Sequence, residues 1–250
     1  MSYLDVITQQ EPRAPARLGV PAYFYPWPGD RWWAGLAEVP PGTIIVLDPD
    51  DGPGRAADPN YLAALAGLAH ADAEVFGYVD SAYGGRPGHL LIDDALRYRA
   101  WYGVQGIFID QVAGTTTDLE HATEISAGLR AEGFRIAMNP GQPVIAQEYF
   151  TLADHVVVFE GCLADYLESV FPGWIADQPR EAVWHLVHAV GTAAAYATVV
   201  QLAAQRGAGV LFATDGGLPN AWDRLPPYWP SMLADARSLG LRGRPRAVSS

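Results

Sequence analysis

VFGYVDSAYGGRPGHLLIDDALRYRAWYGVQGIFID, residues 75–110, carries the pattern that decides the fold. It opens with an apolar run, Val75 to Asp80, passes through a Gly- and Pro-containing turn into helically spaced apolar residues, Leu90 to Tyr102, and closes on a second apolar run, Gly106 to Asp110. Uninterrupted short runs are what parallel strands buried on both faces require, and the amphipathic stretch between them has the length of a crossover helix. Working outward, six more runs of the same kind occur: Val20 to Tyr25, Thr43 to Asp48, Phe134 to Asn139, His155 to Glu160, Ala182 to His188 and Gly209 to Thr214. Helical spacing recurs between them, at Asn60 to His70, Thr117 to Glu132 and Thr192 to Arg206. A strand and a helix repeated eight times predict a single-domain α/β chain, a (β/α)8 TIM-type barrel, over residues 18–240. Residues 1–17 read as an N-terminal extension and 241–250 as a frayed tail, and the segment Pro219 to Pro230, rich in Pro and aromatic residues, reads as a wrap over one barrel end. An open, doubly wound sheet would place a glycine-rich phosphate loop after its first strand. The turn here is Pro26-Trp27-Pro28-Gly29-Asp30, with no G-x-G-x-x-G pattern.

Composition narrows the chemistry. The 250 residues are 50% hydrophobic and 18% charged, the profile of a globular chain. A formal charge of −12 disfavours nucleic acid and anionic membrane surfaces as partners. The sequence contains arginine and no lysine, which removes Schiff-base catalysis, lysine-anchored pyridoxal phosphate and the Walker-type loop. Cys162 is the only cysteine, so neither an intrachain disulfide nor a cysteine zinc site is expected. The first twenty residues lack the features of a secretory signal, and no run is long and apolar enough to span a bilayer; a cytoplasmic location is expected.

Active sites of such barrels lie where the strands end. The expected ends are Tyr25, Asp48, Asp80, Asp110, Asn139, Glu160, His188 and Thr214-Asp215, and all are polar. An acidic residue at a strand end can simply cap the next helix, and Pro or Gly close behind Asp48, Asp80 and Asp215 fits that role. Capping is a weaker account of Asp110 and Glu160, which close the wholly apolar runs Ile107-Phe108-Ile109 and Val156-Val157-Val158-Phe159. Ends four and six are next but one around the rim, so their carboxylates can face each other across a sugar-sized gap. A paired-carboxylate glycosidase fits: one acid protonates the leaving oxygen, and the other serves as nucleophile or as base for water. Tyr23 and Tyr25 are expected on one face of the first strand, with Trp27, Trp32 and Trp33 in the overhanging loop as stacking platforms or as filling for the barrel top. Tyr78 and Tyr83 flank Asp80 and add polar tips to the rim. His185 and His188, three apart on a strand, should point to opposite faces, with only His188 reaching the site. Glu120, His121 and Glu124 have metal-compatible helical spacing but read as a solvated face, and neither a metal nor another cofactor is expected.

The segments VPAYFYPWPG, LDPDDGPG, DPNY, VFGYVDSAYGGRP, GIFIDQ, MNPG, ADHVVVFEG and LFATDG, followed by LPPYW, together resemble the spherulin-4-like (spherulation-specific family 4) proteins, whose best-understood members are glycoside hydrolases of family 135. The resemblance implies a (β/α)8 barrel and metal-independent, endo-acting cleavage of polysaccharides rich in galactosamine or N-acetylgalactosamine. It also places the family's acidic residues after strands four and six on Asp110 and Glu160. Hydrolytic members carry an Asp-Glu pair after strand four; here the second position is Gln111, and an amide neither donates nor accepts a catalytic proton at neutral pH. The expected site therefore has Asp110 and Glu160 as acids, lined by Tyr25, Asp48, Tyr78, Asp80, Tyr83, Gln111, Asn139, His188 and Asp215. The expected ligand is a carbohydrate or another small molecule. Two other uses of the site stay open: an intracellular isomerase, lyase or cyclase using the same acids on a biosynthetic small molecule, and a carbohydrate-binding protein without catalysis.

Overall fold

Eight parallel strands hydrogen-bond in chain order, β1 to β8, and β8 pairs back onto β1 through Arg17↔Val210 and Leu18↔Leu211, closing the barrel. The structure is a computed structural model that describes residues 14–142 and 145–243. The strands are β1 (Arg17–Ala22), β2 (Ile44–Leu47), β3 (Glu74–Asp80), β4 (Gly106–Asp110), β5 (Arg135–Met138), β6 (His155–Cys162), β7 (Val183–His188) and β8 (Val210–Ala213). A helix follows each strand: α1 (Arg31–Leu36), α2 (Pro59–Leu68), α3 (Gly88–Tyr102), α4 (Leu119–Ala131), α5 (Tyr149–Leu152), α6 (Leu163–Glu168), α7 (Ala193–Gln205) and α8 (Trp229–Gly243). This is a single (β/α)8 domain. None of the described helices is long and apolar enough to cross a membrane.

Local chemistry starts the helices. The Asp30 carboxylate accepts from the Trp32 and Trp33 amides, each at 2.9 Å, and Asp58 caps α2 ahead of Pro59 at the first helical position. Thr192 accepts from the Ala195 amide at 3.1 Å to open α7. Helix α3 ends on Gly103, whose φ of 67° is the left-handed conformation a residue without Cβ adopts at least cost.

The barrel interior is packed with rings. Phe108 meets Trp184 edge to face with centroids 5.4 Å apart, and Trp184 meets His155 at 6.3 Å. Burial lowers the pKa of His155 to about 4, which keeps this ring neutral inside the core. Space for the rings comes from missing side chains: a Cβ on Gly19 would lie 2.3 Å from the Trp184 ring. At the N-terminal end of the strands, Glu74 accepts from Arg17 at 2.8 Å and also from Arg135, so a charged cluster closes that end.

A bulge in β6 decides which of its residues face inward. Val157 pairs with Trp184, yet Phe159 pairs with His185, so one residue is skipped between them. Before the bulge His155 faces the interior against Trp184; strict alternation would then turn Phe159 inward and Glu160 outward. With the extra residue, the phenyl ring of Phe159 instead packs outside on Tyr166 at 4.8 Å, and Glu160 turns into the barrel mouth.

Strand boundaries differ from the sequence expectation chiefly at β1, which spans Arg17–Ala22 rather than Val20 to Tyr25. Arg17 is held by Gly209 and Val210 of the neighbouring strand region, so the barrel begins one residue inside the expected extension, the rest of which lies largely outside the described residues. Helix α8 runs to Gly243, and the remainder of the expected tail lies outside the described residues as well.

Gly19→Ala should force the Trp184 indole off its position. The expected loss is about 1 to 3 kcal/mol, at roughly 2 to 4 °C per kcal/mol for a chain of this size. A thermal melt superimposable on that of the unmodified chain would show that the ring does not occupy the space the glycine leaves.

Candidate active site

The C-terminal ends of the strands surround a cleft of about 630 Å³, a size suited to a small ligand. Its floor is a hydrogen-bonded group centred on Asn139, which follows β5. The Asn139 amide nitrogen donates to Asp110 Oδ1 at 2.7 Å and to Glu160 Oε2 at 2.5 Å. Asp110 ends β4 and Glu160 lies on β6, so the strand between them carries the residue that joins them. The expected sugar-sized gap between the two acids is therefore occupied by an amide. The reverse orientation of that amide would set its oxygen against two carboxylates, so the carboxylates fix which atom faces them.

Each carboxylate has a further donor. Tyr78 donates to Asp110 Oδ2 at 3.0 Å, and the indole N–H of Trp222 donates to Glu160 Oε1 at 3.1 Å. Burial raises the pKa of Asp110, opposed by hydrogen bonds from the Gln111 backbone, Tyr78 and Asn139. Burial raises that of Glu160 too, and the neighbouring Asp110 charge adds to it. Asp48, at the end of β2, lines the same cleft; burial lifts its pKa to about 6 despite a hydrogen bond from the Gly52 amide. His188 ends β7 with its pKa lowered by burial and its ring edge-on to Trp222 at 6.1 Å.

Of the expected site residues, Asp110, Glu160, Asp48, Tyr78, Tyr83, Gln111, Asn139 and His188 line this cleft. Tyr25, Asp80 and Asp215 do not. Strand β1 ends at Ala22, so the alternation that would align Tyr25 with Tyr23 has lapsed. Tyr23 lines the cleft, whereas Tyr25 donates to Asp58 at 2.9 Å, over α2. Asp80 ends β3 outside the cleft lining, accepting from the Ala82 amide and from Gln111 Nε2 at 3.2 Å. Asp215 lies 3.6 Å from Arg224 beside a separate groove. The expected Trp platforms are also displaced. Trp33 is buried with its indole N–H on the Phe24 carbonyl, Trp32 is partly buried beneath Arg31, and Trp27 is exposed outside the cleft.

The two histidines of β7 separate as their spacing requires. His188 faces the cleft and His185 is buried outside the barrel wall against the Tyr166 hydroxyl at 2.8 Å. His121 contacts the Arg86 carbonyl, and no cluster of potential metal ligands forms among the described residues.

Several cleft residues went unassigned by sequence reasoning. Trp222, Asn220 and Pro219 come from the β8–α8 connection, tethered over the mouth by the Asn220 amide on the Tyr23 carbonyl at 3.1 Å. Their segment was legible as a wrap over one end, but its contact with Glu160 depends on chain 62 residues away in sequence. Backbone strain gathers on the opposite side of the mouth. Ala82, Tyr83 and Gln111 have φ of 49°, 52° and 52°, and the Tyr83 amide donates to the Gln111 carbonyl at 2.8 Å. Non-glycine residues persist in that region only where surrounding contacts over-determine them, which is common beside functional sites.

The fold and site define a (β/α)8-barrel protein with a carboxylate-lined cleft at the C-terminal rim. Residues 17–236 match the model of spherulation-specific family 4, and the chain belongs to that family. It is 27% identical over 172 residues to Spherulin-4 of Physarum polycephalum, across 66% of this chain and 50% of the relative, so the chain spans about half the length of that protein. Among solved structures, Aspergillus clavatus Sph3, crystallised in complex with GalNAc, is similar with a TM-score of 0.76 and 23% identity over 89% of this chain and 98% of its own. A dihydrodipicolinate synthase from Bacillus clausii shares the barrel at a TM-score of 0.51 and 12% identity, over 91% of this chain and 77% of its own.

The Asp48 shift yields a stability test. A carboxyl whose folded pKa lies above its unfolded value costs stability as pH rises from the unfolded value of 3.8 to the folded value of about 6. Asp48→Asn should therefore stabilise the fold at pH 7 by on the order of 1 kcal/mol after solvent screening. The gain should vanish in melts taken at or below the unfolded pKa. An equal gain at both pH values would place the effect outside the ionisation.

Proposed function

We propose that the chain is a glycoside-cleaving barrel acting on a glycan that contains galactosamine or N-acetylgalactosamine, with Asp110 and Glu160 as the essential acids. The observation that carries this reading is the pair of partly buried carboxylates held on one amide nitrogen in the floor of the cleft. Family membership and the GalNAc complex of the A. clavatus relative support the carbohydrate class.

The close spacing favours retention. Inverting enzymes hold their carboxyl groups about 6.5 to 9.5 Å apart to admit a water, and retaining enzymes about 5 to 5.5 Å. Two oxygens bonded to the same nitrogen, at 2.7 and 2.5 Å, fit the closer arrangement. In this reading Asp110 is the anion, because Tyr78, Asn139 and the Gln111 backbone donate to it. Its negative charge then favours the protonated form of Glu160, which delivers a proton to the departing oxygen. After the glycosyl group passes to Asp110, the Glu160 carboxylate takes a proton from the water that releases it. Gln111 takes no proton in this scheme; its amide is committed to Asp80.

Asp110→Asn and Glu160→Gln should each lower reducing-end release from a galactosamine-rich polymer by at least about 10² to 10⁴, with thermal stability unchanged or raised. Near-normal turnover by either variant would make that residue structural.

Gln111→Glu separates the remaining uses of the site. The new carboxylate would face Asp80 where an amide now donates, so the variant should lose stability as pH rises through the carboxylate range. In a working hydrolase it should alter the pH profile of polymer cleavage. Cleavage gained only by the variant would mark a binding protein derived from a hydrolase, and silence from both forms would favour non-hydrolytic chemistry on a small molecule.

A further inference from the structure

The connection from β8 to α8 crosses the cleft mouth, and its outer part is exposed from Gly217 to Asn220. Closer to β8 it is held by the Ala189 amide, which donates to the Gly216 carbonyl at 2.8 Å. A Cβ on Gly216 would lie 2.1 Å from the Ala221 carbonyl oxygen, so the connection folds back on itself there. Asn220 then makes two hydrogen bonds with opposite roles. Its side-chain nitrogen donates to the Tyr23 carbonyl at 3.1 Å, and its Oδ1 accepts from the Trp222 amide at 2.9 Å. The second is the local turn that an Asn side chain makes with the backbone two residues on. The first reaches the end of β1, 197 residues away in sequence.

Trp222 carries this arrangement to Glu160. Its ring is buried against Phe212 and His188, with centroids 6.0 and 6.1 Å away, and Nε1 donates to Glu160 Oε1 at 3.1 Å. Apolar packing is non-directional, whereas the hydrogen bond weakens steeply once the N–H no longer points at the oxygen. The aim of the indole therefore depends on where the Trp222 backbone is held. Asn139 holds the other oxygen, Oε2, so the two donors together fix the plane of the carboxyl. Desolvation and the Asp110 charge raise the pKa of Glu160, and the bonds from Asn139 and Trp222 oppose them. Facing Glu160 across the same cleft are Asp110 of β4, Asp48 after β2, Tyr78 of β3, Tyr23 after β1 and His188 of β7.

We propose that Asn220 is a positioning residue for Glu160: by joining the Tyr23 carbonyl to the Trp222 amide, it aims the Trp222 indole N–H at the Glu160 carboxyl. In the glycan-cleaving reading, on which the role of that carboxyl rests, Glu160 delivers the proton to the departing oxygen. The end of β1 is thereby coupled to the acid on β6 through a residue from the far end of the chain. Asn220 is exposed and outside the apolar core, so substituting it tests the aim of the indole rather than the folding of the barrel.

The test compares Asn220→Ala with Trp222→Phe, which keeps a ring without the N–H, in two measurements on the intact chain. In thermal melts, each variant should lose more stability at alkaline than at acid pH. Removing the donor raises the pKa of Glu160 further, and a carboxyl whose folded pKa is raised costs stability as pH rises from its unfolded to its folded value. That excess should disappear when Glu160→Gln is also present, and Asn220→Ala should add none to Trp222→Phe. Asn220→Ser, which keeps an acceptor for the Trp222 amide and loses the nitrogen on Tyr23, should behave as Asn220→Ala. In reducing-end release from the polymer, the alkaline limb of the pH profile should move up by about one unit in Trp222→Phe and roughly half a unit in Asn220→Ala. A stability loss equal at all pH values, or unchanged by Glu160→Gln, would overturn the proposal and leave Asn220 a structural tether. Unmodified behaviour of Asn220→Ala or Asn220→Ser beside a pH-dependent loss in Trp222→Phe would also overturn it, because packing alone would aim the indole. Absence of polymer cleavage by the unmodified chain would overturn the glycan reading, with the melts still deciding the role of Asn220.

Discussion

Asn139 donates a single side-chain nitrogen to carboxylates on either side of it, and the arrangement of the cleft depends on that contact. Without it, two partly buried carboxylates would face each other with only Tyr78, the Gln111 backbone and Trp222 to offset their desolvation. The contact requires three neighbouring strands to present their terminal residues at one height. Parallel register supplies two of them, with Ile109 opposite Met138, so that Asp110 and Asn139 emerge together. The third depends on the bulge in β6, which turns Glu160 inward after a run whose alternation would have turned it out. The Glu160 amide then donates to the Gly141 carbonyl at 3.0 Å, fixing the strand to the turn that follows Asn139.

Charge is divided between the two ends of the barrel. Arginines meet Glu74 at the N-terminal end of the strands, whereas the mouth concentrates carboxylates with raised proton affinity. A packed interior of Phe108, Trp184 and His155 separates the two. Holding like charges close together costs stability, and the left-handed residues Ala82, Tyr83 and Gln111 gather beside the same mouth.

Gln111 is held through its backbone as well as its side chain. Its backbone carbonyl accepts from both the Tyr83 amide and the Ser81 hydroxyl, at 2.8 Å each, contacts that do not involve its side chain. Its side chain donates to Asp80 at 3.2 Å, as a neutral group next to Asp110.

The sequence by itself determined the barrel, because uninterrupted apolar runs alternating with amphipathic stretches admit little besides parallel strands covered by helices. The ends of those runs also disclosed Asp48, Asp110, Asn139, Glu160 and His188 as residues of one rim, since polar groups at the close of buried strands must reach solvent or one another. Tertiary structure decided the rest. Whether Tyr25 joined Tyr23 turned on where β1 stopped pairing, and whether Glu160 faced in or out turned on a skipped residue in its pairing with β7. Trp222 reached Glu160 through a connection folded over the mouth from the far end of the chain. Periodicity reports the face of a strand only while its register holds, and it carries no information about contacts between segments distant in sequence.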